Sequence, residues 1–195
     1  MKILFIGGSL NQTSMLHKIS MHLQGHELFF SPFYADGLIH LISKTGILKK
    51  TILGGRHRMD TLRYLEENNL RTDVGGKENE YDLVLTGTDG IIQKNIRSKR
   101  ILLVQEGMTV PEGLMFQLVR FFKLPVWLAD TAATGLSNAY DAFCVASQGY
   151  KDLFIRKGVI REKIFVTGIP NFDDFASLNQ NAFPYSNYVL AATSP

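Results

Sequence analysis

Six short polar clusters, each set at the end of an apolar run, hold most of the residues in this sequence that could do chemistry: Gly7-Gly8-Ser9, Gly87-Thr88-Asp89, Gln105-Glu106-Gly107, Asp130-Thr131, Ser147 and Gly168. Glycines let a backbone come close to a ligand, and hydroxyls and carboxylates offer hydrogen bonds to a polyol. The two carboxylates best placed for proton transfer are Asp89 and Glu106. Asp89 also reads as a helix cap, whereas Glu106 has no evident local structural duty. Gly7, Gly8, Ser9, Thr88, Gly107, Glu112, Ser147 and Gly168 are candidate substrate contacts, although Glu112 also fits the acid of a capping box, Thr109-Val110-Pro111-Glu112.

Other chemistries find less support. Gly7-Gly8-Ser9-Leu10-Asn11 is not GxGxxG and lacks the lysine of a triphosphate loop. Cys144 is the single cysteine, in the apolar stretch AFCVA, where it reads as a buried small hydrophobe. The five histidines form no HExxH pair, so no metal site is expected. No resident cofactor is expected either. Gly54-Gly55-Arg56-His57-Arg58 suits a basic loop for phosphate and equally a solvated loop. The net charge of +3 and the cationic run from Lys94 to Arg100 are too weak to imply nucleic-acid binding.

Positioning these clusters is the work of apolar strands: Ile3-Leu4-Phe5-Ile6, Leu28-Phe29-Phe30, Leu83-Val84-Leu85, Ile101-Leu102-Leu103-Val104, Val126-Trp127-Leu128, Ala142-Phe143-Cys144-Val145 and Ile164-Phe165-Val166. They lack polar alternation, as strands covered on both faces do, and helix-period segments lie between most of them. The pattern predicts an α/β fold, a Rossmann-like doubly wound parallel sheet with helices on both faces. In such sheets the crevice beyond the strands' carboxyl ends takes the ligand, which is where the clusters fall. Thr13 or Ser14 is expected to cap a first helix, and Ser147 to cap another that stops at Gly158. The stretch from Asp36 to Lys77 is the least regular, with two helices expected in it.

With 45% hydrophobic and 20% charged residues, the composition is that of a globular chain. No signal peptide is visible and no run approaches the roughly 20 apolar residues of a membrane span, so a cytoplasmic chain is expected. One segment stands out. In LMFQLVRFFKLPVWLA, residues 114–129, Phe121, Phe122 and Leu124 exceed what one buried helix stripe needs. Peripheral contact with the inner face of a membrane through 114–128 is expected.

The segment YDAFCVASQGYKDLFIRKGVIREKIFVTGIPNFDDF, residues 140–175, resembles the end of the N-terminal domain of GT-B-type sugar-nucleotide enzymes: strand, serine, helix, Gly-Val, strand, then a Gly-x-Pro turn and an aspartate. Upstream, Gly87-Thr88-Asp89, Gln105-Glu106-Gly107 and Pro111-Glu112-Gly113 are similar to the Gly-Asp-Thr, Glu-Ala-Gly and Pro-Glu-Glu turns of nonhydrolysing UDP-N-acetylglucosamine 2-epimerases. The family's aspartate comes one position before Asp89, its turn glutamate aligns with Gln105, and its second helix-start acid falls at Gly113. The resemblance therefore implies a glycosyltransferase-like relative, with an epimerase and a noncatalytic Rossmann-like binding module as alternatives.

It implies an acceptor-side N-terminal domain over 1–176, and over 177–195 a linker and the first strand of a C-terminal donor domain, for which NYVLAATSP has the composition. The implied substrates are a nucleotide sugar of the UDP-sugar kind and a cell-surface glycan or lipid-linked acceptor, and the implied partner is the C-terminal domain of the same protein.

Overall fold

The computed structural model describes residues 1–32, 55–173 and 189. Strand β1 (Lys2–Ile6) leads through Gly7-Gly8-Ser9 into helix α1 (Leu10–Ser20) and then strand β2 (Glu27–Ser31). Helix α2 (Gly55–Glu67) precedes β3 (Leu83–Thr86) and β4 (Arg100–Val104). After helix α3 (Leu114–Phe122) and a 3-10 helix (Val126–Ala133) come β5 (Ala142–Val145), α4 (Gln148–Lys157) and β6 (Ile164–Val166). The proposed 177–195 segment, save Val189, lies outside the described residues, as do residues 36–54 of the irregular stretch 36–77.

The six strands form one sheet in the order β2-β1-β3-β4-β5-β6, and every neighbouring pair is parallel. The chain moves outward from β1 to β2, then returns past β1 to build β3 to β6 on the other side. The reversal between β1 and β3 is the switch point at which the loops of such sheets part and leave a crevice.

Both faces are covered, which is why the strands read as continuous apolar runs. Leu4, Ile6, Val84, Ile101, Leu103 and Phe143 pack on one face with Phe154 of α4. Their strand neighbours Ile3, Phe5, Leu85 and Val104 pack on the other with Met15 and Leu16 of α1 and Leu65 of α2. A third cluster joins Phe116 and Val119 of α3 to Ala129, Ala132 and Ala133 of the 3-10 helix. Buried Lys157 ties this unit to α4. Its Nζ donates to Ala132 O at 3.0 Å and lies 5.6 Å from the Phe116 ring centroid. Burial lowers the Lys157 ammonium, and nearby Glu112 partly offsets this.

Four local expectations need correcting. Val126-Trp127-Leu128 is no strand but the start of the 3-10 helix. Pro125 precedes it without an N–H to give a ladder, and the small alanines that follow pack under Phe116. Helix α1 begins earlier than Thr13 or Ser14: extended Ser9 is the N-cap and its Oγ accepts from Gln12 N. Thr109 to Glu112 form no capping box, because α3 starts after Gly113 without a side-chain cap. Thr109 Oγ1 instead accepts from Lys157 Nζ at 3.5 Å, and Val110 N donates to Thr131 Oγ1 at 3.4 Å. Gly55 already opens α2, so 55–58 are helical rather than a basic loop. The cap at Ser147 and the left-handed stop at Gly158, φ 111°, stand as expected.

Candidate functional site

The first turn of α1 builds the centre of the site. Gly7 is buried where β1 meets α1, and a Cβ there would lie 2.5 Å from Thr13 Oγ1 and 3.0 Å from backbone atoms of Thr13. A glycine is therefore required for the helix to start so close to the strand. The tight turn aims Ser9, Asn11 and Gln12 at one point, the Glu106 carboxylate. Asn11 Nδ2 donates to Oε1 at 2.7 Å, Gln12 Nε2 to Oε2 at 2.8 Å, and Ser9 Oγ to Oε1 at 3.5 Å. Gln12 is buried, and its Oε1 accepts from Gly8 N at 2.9 Å. Gly87 helps by having no side chain, since a Cβ there would meet Gln12 Cγ at 2.9 Å.

Loops after β5 and β6 join the same rim. Buried Gln105 accepts at Oε1 from Ala146 N at 2.9 Å and donates from Nε2 to Gly107 O at 2.7 Å. That pins Gly107 and brings the loop carrying Ser147 alongside. Asn171, three residues past Gly168, donates to Glu106 O at 3.0 Å. Lys18 Nζ reaches Pro170 O at 3.5 Å. Gly168 has φ 79°, the left-handed region that favours glycine, and open space where a Cβ would point. Thus Gly7, Gly8, Ser9, Glu106, Gly107, Ser147 and Gly168 belong to one connected edge.

Asp89 is elsewhere in function if not in sequence. It is 2% exposed, and its Oδ1 and Oδ2 accept from Gly135 N at 2.8 Å and Ser137 N at 3.0 Å. Burial pushes its carboxyl up, against the pull of those hydrogen bonds. Its carboxylate is committed to holding the turn before β5. Thr88 braces the loop after β3: its Oγ1 accepts from Gly90 N and its carbonyl from Thr86 Oγ1. Glu112 is exposed, beside the unit under α3, and has no hydrogen bond to the rim cluster.

Glu106 is half-buried, with its carboxylate at the mouth of the polar cluster. A carboxylate so fixed by neutral donors, with one edge toward solvent, can accept a proton from a hydroxyl brought against it. Asn11, Gln12 and Asn171 are the members that reading the strand ends did not single out. The signal for the first two was their place in the first helical turn after a glycine loop, where side chains share the strand-end side of the sheet. The cationic run before β4 is partly tied down, with Arg97 Nε donating to Ile92 O and Lys99 paired with Glu80. Burial raises the half-buried Cys144 thiol, against a hydrogen bond with Thr167. Among the described residues no group of His, Cys, Asp and Glu side chains could hold a metal ion, and no helix is long and apolar enough to cross a membrane.

No protein-family model matches the sequence, and no curated protein matches it. Among solved structures the chain is similar to Anabaena Alr3699/HepE in complex with UDP, at 16% identity and a TM-score of 0.48 over 86% of this chain. It is similar also to the same protein with UDP-glucose, at 17% identity and a TM-score of 0.47. At such identity and superposition none of the chemistry of those proteins carries over. The chain spans less than half the length of these structures, 44% and 43% respectively.

Proposed function

We propose that this chain is the acceptor-side half of a GT-B glycosyltransferase that uses a nucleotide sugar, of the UDP-sugar kind, as donor. The observation that carries the reading is the one-sided rim: the loops leaving β1, β4, β5 and β6 meet around Glu106, at the strand ends where a parallel sheet opens its crevice. Glu106 is the base. The acceptor hydroxyl loses its proton to the Glu106 carboxylate as its oxygen bonds to the anomeric carbon, and the nucleoside diphosphate leaves with the bonding pair. Asn11, Gln12 and Ser9 hold the carboxylate in place, while Gly107 and Gly168 leave room for a sugar. The opposite wall of the cleft, with the groups that balance the diphosphate, belongs to a second domain, so no metal is needed on this side.

Of the two carboxylates weighed from sequence, Glu106 alone is presented at this rim. Epimerisation by paired carboxylates has less support, since Asp89 is buried and its hydrogen bonds are spent on the turn at Gly135 and Ser137.

The test is release of nucleotide from UDP-sugars, with and without acceptor, by the full natural gene product. Acceptor-dependent release is expected, and Glu106→Gln is expected to lower kcat/KM by about 10²–10⁴-fold, the usual worth of a positioned base. Solvent deuterium entering C2 of the sugar without transfer would overturn the reading in favour of the epimerase. The 195-residue chain alone is expected to give no sustained release.

A further inference from the structure

Helix α3 has more apolar surface than its own packing uses. At about 100° per residue, Phe121, Leu114, Leu118, Phe122 and Met115 follow one another around the helix in a single arc. Beyond that arc come Val119 and Phe116, which are buried against the 3-10 helix. Among the described residues the arc itself has no partner of that kind: Leu114 is 71% exposed, Phe121 81% and Phe122 60%. Leu124 and Trp127 extend it past the helix, and Met108, 84% exposed, extends it before. A soluble helix buries one such stripe and turns polar residues outward; α3 buries one and exposes another.

Charge identifies what covers it. From Gly113 to Ala129 the sequence holds Arg120 and Lys123 and no acid. Arg120 lies on the side of α3 opposite the arc, Gln117 beside its Phe121 edge, and Lys123 closes the helix in a left-handed cap. Aromatic and aliphatic groups on one face, cations on the other and a tryptophan at the margin suit a helix lying in the plane of an anionic bilayer surface. The phenylalanines would enter the acyl boundary while the cations meet headgroups. A protein groove would also accept the apolar arc, but two cations against Glu112 as the one acid within 108–127 favour an anionic surface.

We propose that the 108–127 surface docks the chain on an anionic lipid bilayer. The docking also names the acceptor class, a hydroxyl carried on a lipid anchor, because Met108 at one margin of the patch is two residues from Glu106 at the rim. This second statement rests on the transferase reading above; the docking does not.

The test is flotation of the 195-residue chain with vesicles of phosphatidylcholine containing about one third phosphatidylglycerol, and with phosphatidylcholine alone. The chain partitions onto the anionic vesicles, more weakly as salt rises. Phe121→Glu/Phe122→Glu lowers the partition coefficient by about a hundredfold or more, from the loss of two buried aromatic side chains. Both residues are exposed, so circular dichroism should show the variant folded. Met21→Glu, at an exposed apolar position at the end of α1, leaves partitioning unchanged.

No partitioning by the wild type, or equal partitioning by the double variant, overturns the proposal. So does a wild-type dimer that the double variant converts to monomer while vesicles are ignored, since a second copy is then the occupant. Transfer by the gene product to a lipid-anchored acceptor held in detergent micelles, measured separately, tells the two readings apart. Transfer without vesicle binding removes the docking alone, and vesicle binding without transfer removes the transferase reading alone.

Discussion

Asp89 and Glu106 each follow a strand and a short turn, yet the fold treats them oppositely. The carboxylate of Asp89 is closed inside the protein and satisfied by the backbone N–H groups of Gly135 and Ser137 and by the Ser137 side chain. Glu106 reaches the rim and is satisfied by side chains of α1. The contrast teaches that position after a strand selects candidates, and that burial sorts them, Asp89 being 2% exposed and Glu106 half-buried.

Stability measurements can break this contrast. Asp89→Ala leaves the buried Gly135 N–H and the half-buried Ser137 N–H without acceptors and should cost about 2–4 kcal/mol in chemical denaturation. Glu106→Ala removes a rim group with side-chain partners that can turn to water, and should cost under about 1 kcal/mol. Equal losses would erase the distinction. Gly7→Ala comes next: its Cβ would press on the Thr13 backbone, which cannot swing aside, so a loss of about 1–3 kcal/mol is expected. Gln12→Leu keeps the bulk but leaves Gly8 N and one Glu106 oxygen unpaired. A stability loss of about 1 kcal/mol is expected, with a larger proportional fall in kcat than any change in KM.

The smallest effect is a pH dependence, and it uses a third carboxylate for scale. Burial would raise Asp73, but hydrogen bonds from Tyr81, from the Lys77 and Glu78 amides and from Asn79 outweigh it and hold the group below its usual range. Its stabilisation is present above the unfolded value of about 3.9 and is lost as pH falls through the lower folded value. Asp89 is raised, so the folded chain binds that proton more tightly. Its contribution moves the other way, favouring the fold as pH drops toward about 3.9. Melting temperatures of Asp73→Asn and Asp89→Asn, compared with wild type across this acid range, should therefore diverge in opposite senses. Parallel trends would contradict the assigned partners.

Much of this was legible in the sequence. Six apolar runs without alternation gave six parallel strands, and Ser147 with Gly158 bounded α4 as written. Val126-Trp127-Leu128 misled because three apolar residues carry no period, and the alanines that make the segment a packed 3-10 helix matter only once Phe116 is above them. The rim was legible as a set of loops, but not as a site. That Gln12 lies across Gly87 to reach Glu106 depends on the β1–β3 adjacency, a contact between distant residues that no local pattern encodes. The same holds for Asp89, whose partners lie 46 and 48 positions away.

The most direct test sets the two carboxylates against each other in one assay: acceptor-dependent nucleotide release by the full gene product carrying Glu106→Gln or Asp89→Asn, each per mole of folded protein. The account predicts a fall of at least about a hundredfold for Glu106→Gln and less than about threefold for Asp89→Asn. Activity that survives Glu106→Gln and disappears with Asp89→Asn would place the chemistry in the buried turn and contradict it.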